Sequence, residues 1–246
     1  MKSFLRSLTA ESLKLKRTLA LWMVFVAPLI VVSLQFFILV DRGRPQGTGS
    51  MWPGYARMVS TLWAIFMLPL FVTLETALLN GLEHSARSWK QLFSLPVSRT
   101  SIVSAKMFTS FLLIGSSTLI LCILIVISGE LLPVLRPAYH FPGLPILVIV
   151  KTAFLPFLAS WLIIAIHSWI SMRWPGFALS LGVGIGAVFF AVFATSAKAG
   201  RFYPWLFPLN TLLQERWLPA VVIGSLGGIV VATLAVWSTV HRDVQQ

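Results

Sequence analysis

The sequence predicts an all-α polytopic membrane protein, a single transmembrane domain over residues 1–246. Hydrophobic residues make up 57% of the chain and charged residues 11%, against roughly a quarter charged in soluble domains. Apolar stretches near the ~20 residues needed to cross a bilayer recur along the chain. What lies between them is too short to build a soluble core.

Six stretches are expected to span: Thr18–Val40, Arg57–Leu79, Ser101–Ser128, Leu144–Ser171, Phe177–Ala197 and Trp217–Val240. With the N-terminus in the cytoplasm, 11 Lys and Arg fall inside and seven outside, with Lys151 within a span. The positive-inside rule then puts both termini in the cytoplasm. The net charge of +12 therefore reflects topology. Its cations are scattered among short loops and form no groove or arm for nucleic acid.

Ahead of the first stretch, Phe4, Leu5, Leu8, Leu15 and Leu19 share one side of a helical wheel, and Lys2, Arg6, Lys14 and Arg17 share the other. Leu13 is the exception. Residues 1–17 thus read as a basic amphipathic helix in the interface that enters the first span by an elbow. That span contains Trp22 and Pro28, is too long for a signal core and lacks a small-residue cleavage site, so it is expected to stay in the membrane.

The loop DRGRPQGTGSMWPG is rich in Gly and Pro and reads as irregular and external, with Trp52 and Tyr55 marking the interface. Pro28, Pro69 and Pro156 lie within spans, where a missing N–H frees a carbonyl and permits a kink. GELLPVLRPAYHFPGLP, with four prolines, predicts a second irregular external loop, and Lys151 just beyond it is placed to snorkel outward. MRWPG is so short that the fourth and fifth spans should form a tight antiparallel pair. Gly182 and Gly186, and again Gly224 and Gly228, have GxxxG spacing suited to helix packing or a dimer interface; Ser180 and Gly184 add a second small pair. Between these spans, GRFYPWLFPLNTLLQERW is too apolar for an exposed loop and too short to cross, so it should dip into the membrane from outside.

The longest charged segment runs from Glu75 to Lys106. Within it His84–Ser94 has helical spacing: Trp89 and Phe93 are four apart, Leu92 adds to the apolar side, and Arg87 and Lys90 lie on a polar side. Bulky apolar groups where a polar loop would suffice point to burial against lipid or a partner protein. Leu95, preceding Pro96, is driven out of the α region, and Ser98 or Thr100 can cap the helix that follows. Glu75 approaches the inner surface and calls for a partner such as Arg87, Lys90 or a base of the elbow helix. Glu83 is spaced to pair with Arg87. His84, His140, His167 and His241 lie in separate segments and Cys122 is alone, so neither a metal site nor a catalytic constellation is expected.

Six spans, an elbow helix containing ESLKLKRT, the string WKQLFSLPVSR with a glutamate pair upstream and Lys106 downstream, and the aromatic segment before span six resemble the ABC-2 type permeases. Among these the chain is most similar to the small permeases of lantibiotic self-immunity and bacitracin-resistance transporters. The resemblance implies that His84–Ser94 is a coupling helix that inserts into a separate ATP-binding subunit. Its contacts would be Glu83, His84, Arg87, Trp89, Lys90, Leu92, Phe93 and Pro96. Two permease subunits, identical or paralogous, and two ATPase subunits would form an exporter in a bacterial cytoplasmic membrane. ATP and Mg belong on the partner, because this chain lacks GxxxxGK[ST] and is expected to bind no cofactor of its own. The implied cargo is an amphipathic or hydrophobic compound such as an antimicrobial peptide. A stand-alone secondary transporter or a membrane scaffold is the alternative, and neither repeated halves nor a midplane carboxylate supports the former.

Overall fold

The computed structural model describes residues 2–16, 18–42, 50–85, 92, 94 and 96–241, and the regular elements among them are all helical. The chain enters as α1 (Lys2–Leu15), turns at Lys16 and continues as α2 (Leu19–Arg42). α3 (Trp52–Leu62) passes through a π-helical turn at Trp63–Met67 into α4 (Leu68–Ser85). There follow α5 (Arg99–Leu135), α6 (Ile146–Ala159), α7 (Trp161–Arg173) and α8 (Phe177–Ala194). Short 3₁₀ turns at Lys198–Phe202 and Pro204–Leu206 and the single turn α9 (Phe207–Asn210) lead to α10 (Trp217–Val240). Five of the described helices, α3 to α4 taken as one, are long and apolar enough to cross a membrane, and six if the bent pair α6 and α7 counts as one span.

The second apolar helix begins at Trp52, ahead of the expected Arg57. Pro53 suits this start, since the N–H it lacks would have no helical partner there. Trp52 and Tyr55, expected at the interface, are instead core residues at 0% and 3% exposure. Trp52 Nε1 donates to the Phe141 carbonyl at 3.1 Å, and the two rings meet edge to face. Further along, the π turn sits immediately before Pro69, with the Leu68 N–H reaching the Trp63 carbonyl. The wider turn accommodates a proline that would otherwise crowd the preceding carbonyl.

α5 continues to Leu135, through residues expected to be loop. Pro133 removes one N–H from the ladder, and packing outweighs that loss. Gly129 has no side chain, so the Trp52 ring lies directly on it, and a Cβ there would clash with that ring. Tyr55 Oη and Ser128 Oγ are 2.7 Å apart, while Arg136 Nε and Tyr139 Oη each donate at 2.9 Å to carbonyls at the end of α2.

The α6–α7 pair bends by 42° at Ser160, four residues after Pro156 has freed a carbonyl. Ser160 Oγ donates to the Phe157 carbonyl at 2.7 Å, and Ser225 Oγ of α10 donates to Leu158 at 3.2 Å. Gly224 and Gly228 lie on this bend: a Cβ at Gly228 would sit 2.7 Å from Trp161, and one at Gly224 would clash with the Ala159 backbone. The α10 glycines therefore serve packing within the chain. α8 behaves oppositely, since Gly182 and Gly186 face open space while Gly184 closes on Thr73. Residues 195–216 fold back along α8, where Tyr203 Oη donates at 3.0 Å to the carbonyl of Ala187, about two turns inside the helix end. Trp205 reaches deeper still, its ring centroid 5.7 Å from that of His167.

Candidate functional site

The site is built at the foot of the bundle, where α1 crosses the last turn of α4 and the beginning of α5. On α1, Phe4, Leu8, Glu11 and Leu15 recur at helical spacing, which places the one acid of that helix on its apolar side. Glu11 is accordingly 6% exposed, and it meets Glu83 of α4 at 4% and Lys106 of α5 at 3%. Lys14 completes the set.

Lys14 Nζ lies 2.9 Å from Glu11 Oε1 and 2.7 Å from Glu83 Oε1. Lys106 Nζ lies 3.0 Å from Glu11 Oε2 and 3.0 Å from Glu83 Oε1. Among the described residues, two carboxylates and two ammonium groups thus form a neutral ring that is buried except at Lys14. Neutrality matters here, because each unpaired buried ion would cost several kcal/mol, on the order of 3–5 when one partner of a pair is removed. Burial alone lowers the Lys14 pKa, but hydrogen bonds and charge from Glu83 and Glu11 outweigh it and leave the ammonium above its ordinary value.

The other side of α4 is tied down next door. His84 Nε2 donates to the Ser171 carbonyl of α7 at 3.0 Å, and Asn80 Nδ2 donates to Ser171 Oγ at 2.8 Å. Burial lowers the His84 pKa, only partly offset by the Ser171 carbonyl.

These contacts bracket the segment between α4 and α5. Glu83 and His84 belong to the last turn before it, and Ser98 caps the helix after it, its Oγ accepting from Ser101 N at 3.3 Å. Within it, Leu92 has helical backbone and is partly buried, and Pro96 lies in an exposed bend. Arg87, Trp89, Lys90 and Phe93 lie outside the described residues. At its described ends the segment is tied to α1 and α5 by ion pairs at Glu83 and to α7 by the His84 hydrogen bond.

Glu83 is engaged by Lys14 and Lys106, and its expected pairing with Arg87 falls on a residue outside the described ones. Of the elbow bases open to Glu75, Lys14 goes to Glu83 instead. Glu75 lies ~12 Å further along α4, fully buried, with neither oxygen hydrogen-bonded among the described residues. Glu11 was not singled out from sequence, although its signal was present: an acid on the apolar side of a basic helix needs a cation from elsewhere.

The fold defines a multi-pass helical membrane protein whose apolar helices converge on a charge-paired foot. Residues 7–194 match the family described as ABC-2 family transporter protein, and the chain belongs to that family of transporter membrane proteins. No individually curated protein matches it.

Proposed function

We propose that the chain is the permease subunit of an ABC exporter, forming the substrate pathway and driven by a separate ATP-binding subunit. The observation that carries this reading is the buried ring of Glu11, Lys14, Glu83 and Lys106, which binds α1 to both helices flanking residues 86–98. A segment that only closed a loop would not need three buried charges and a fourth at their rim at its root. Here His84–Ser94 acts as the coupling helix, α1 as the elbow and residues 195–216 as an external dipping segment, with both termini in the cytoplasm. Trp89, Leu92 and Phe93 insert into the ATPase, with Arg87 and Lys90 facing its acidic rim. A second permease subunit completes the pathway, and ATP and Mg are held by the partner chains.

Resemblance to lantibiotic-immunity and bacitracin-resistance permeases supports an amphipathic antimicrobial peptide as cargo. The test is a mild-detergent pull-down from the native membrane, followed by reconstitution with the ATPase recovered. Trp89→Ala with Phe93→Ala should lower cargo-stimulated ATP hydrolysis about tenfold, on the scale of losing two buried aromatic anchors, with the helical content of the permease unchanged. Full stimulation in the double variant, or no ATPase recovered from any of several detergents, would overturn the assignment.

A further inference from the structure

A groove of about 530 Å³ runs between α5 and α10, floored by α7. We propose that it is a binding site for one acyl chain of a phospholipid, whose phosphate headgroup rests at the α1 end of the bundle. The proposal is independent of the transport reading.

The walls are apolar and face outward. Phe108 and Phe111 of α5, Trp161 of α7 and Trp237 of α10 line the channel, and Phe108 and Trp237 keep 40% and 63% of their exposure. Along α5 the lining runs from Thr100 to Phe111, a rise of ~16 Å at 1.5 Å per residue. That is the depth of one leaflet, about half of a ~30 Å hydrocarbon core.

The walls decide the chemistry of the occupant, which enters from the open, outward side. An extended peptide would bring N–H and C=O groups into walls that offer them almost no partners, at several kcal/mol per group. A hydrocarbon chain carries no such groups.

The mouth differs from the depth. Thr100, Ser104 and His241 line the α1 end, where the Ser98-capped N-terminus of α5 directs its positive dipole end. Arg99 opens that helix. The amphipathic helix α1 borders the same mouth through Phe4 against Phe108 and Ser3 against Ser101. Polar, cationic groups at the surface end of a leaflet-deep apolar groove match an anionic headgroup above an acyl chain.

The test uses the full chain in vesicles of phosphatidylethanolamine and phosphatidylglycerol, with a trace of phosphatidylglycerol carrying a diazirine midway along one acyl chain. After illumination, adducts are mapped by mass spectrometry. Phe108 and Trp237 should be labelled about tenfold more than Phe25 and Trp22 of α2, which are respectively at least as exposed; specific retention, not mere lipid contact, produces such a ratio. A diacylglycerol with the same diazirine chain and no phosphate should label the groove about tenfold less than the phosphatidylglycerol probe, since it forfeits the headgroup contacts. Equal labelling of groove and α2, or equal labelling by both probes, would overturn the proposal. So would groove labelling below that of α2, the result expected if a second copy of the chain covers it.

Discussion

Lys106→Met removes the central cation of the foot with little change in shape. The Lys106 side chain is 2% exposed and lies 3.0 Å from both Glu11 and Glu83. After substitution, the two buried carboxylates lose their shared buried ammonium and keep Lys14, whose side chain is 35% exposed and whose attraction is weakened by solvent. Breaking a buried pair from one side costs about 3 kcal/mol. Glu83→Gln creates the opposite imbalance, an excess ammonium, at a similar cost of about 3 kcal/mol. The double variant is neutral again and keeps the 2.9 Å pair between Lys14 and Glu11. It should therefore cost about 3 kcal/mol rather than the sum of about 6, a coupling of about 3 kcal/mol. The assay is reversible unfolding of the purified chain in mixed micelles, followed by far-ultraviolet circular dichroism. Additivity to within about 0.5 kcal/mol would refute the argument that the four charges form one buried unit.

Two further outcomes follow from the geometry. Gly224→Ala and Gly228→Ala drive a methyl into the backbone at the α6–α7 bend and should each cost about 1–3 kcal/mol in the same assay, whereas Gly182→Ala and Gly186→Ala, with no atom within 4 Å, should stay within about 0.5 kcal/mol; four equal responses would contradict this division. His84, held below its ordinary pKa by burial, contributes fully above its unfolded value of about 6.5 and loses that contribution as pH falls through it. Stability should thus decline as pH falls below about 6.5, and His84→Gln, which keeps a donor for the Ser171 carbonyl, should flatten the decline. Superimposable pH profiles would rule out His84 as the source.

How much of this was legible depended on the range of the interaction concerned. The Ser98 cap is a contact three residues long, and side-chain identity sufficed to find it. The end of α5 was misjudged because local rules weigh Pro133 against a helix and cannot see Trp52 lying on Gly129. Trp52 and Tyr55 read as interfacial for the same reason: their partners, Phe141 and Ser128, are distant in sequence. The two GxxxG pairs look identical as strings, yet only one faces a neighbouring backbone within the chain. In the foot, the identities of Glu83 and Lys106 stood out, but Glu11 escaped notice because the buried one of its two cations, Lys106, comes from a helix that begins 88 residues later.

The sequence by itself determined that this chain lives in a membrane, that it crosses on apolar helices and where the charged segment lies. Those properties follow from hydropathy and local periodicity, which each stretch of residues carries alone. The tertiary structure decided which acid meets which base, where proline breaks a helix and where packing overrides it, and which glycines are buried. Those outcomes depend on desolvation and close contact between segments far apart in the chain, and neither exists until the helices have packed.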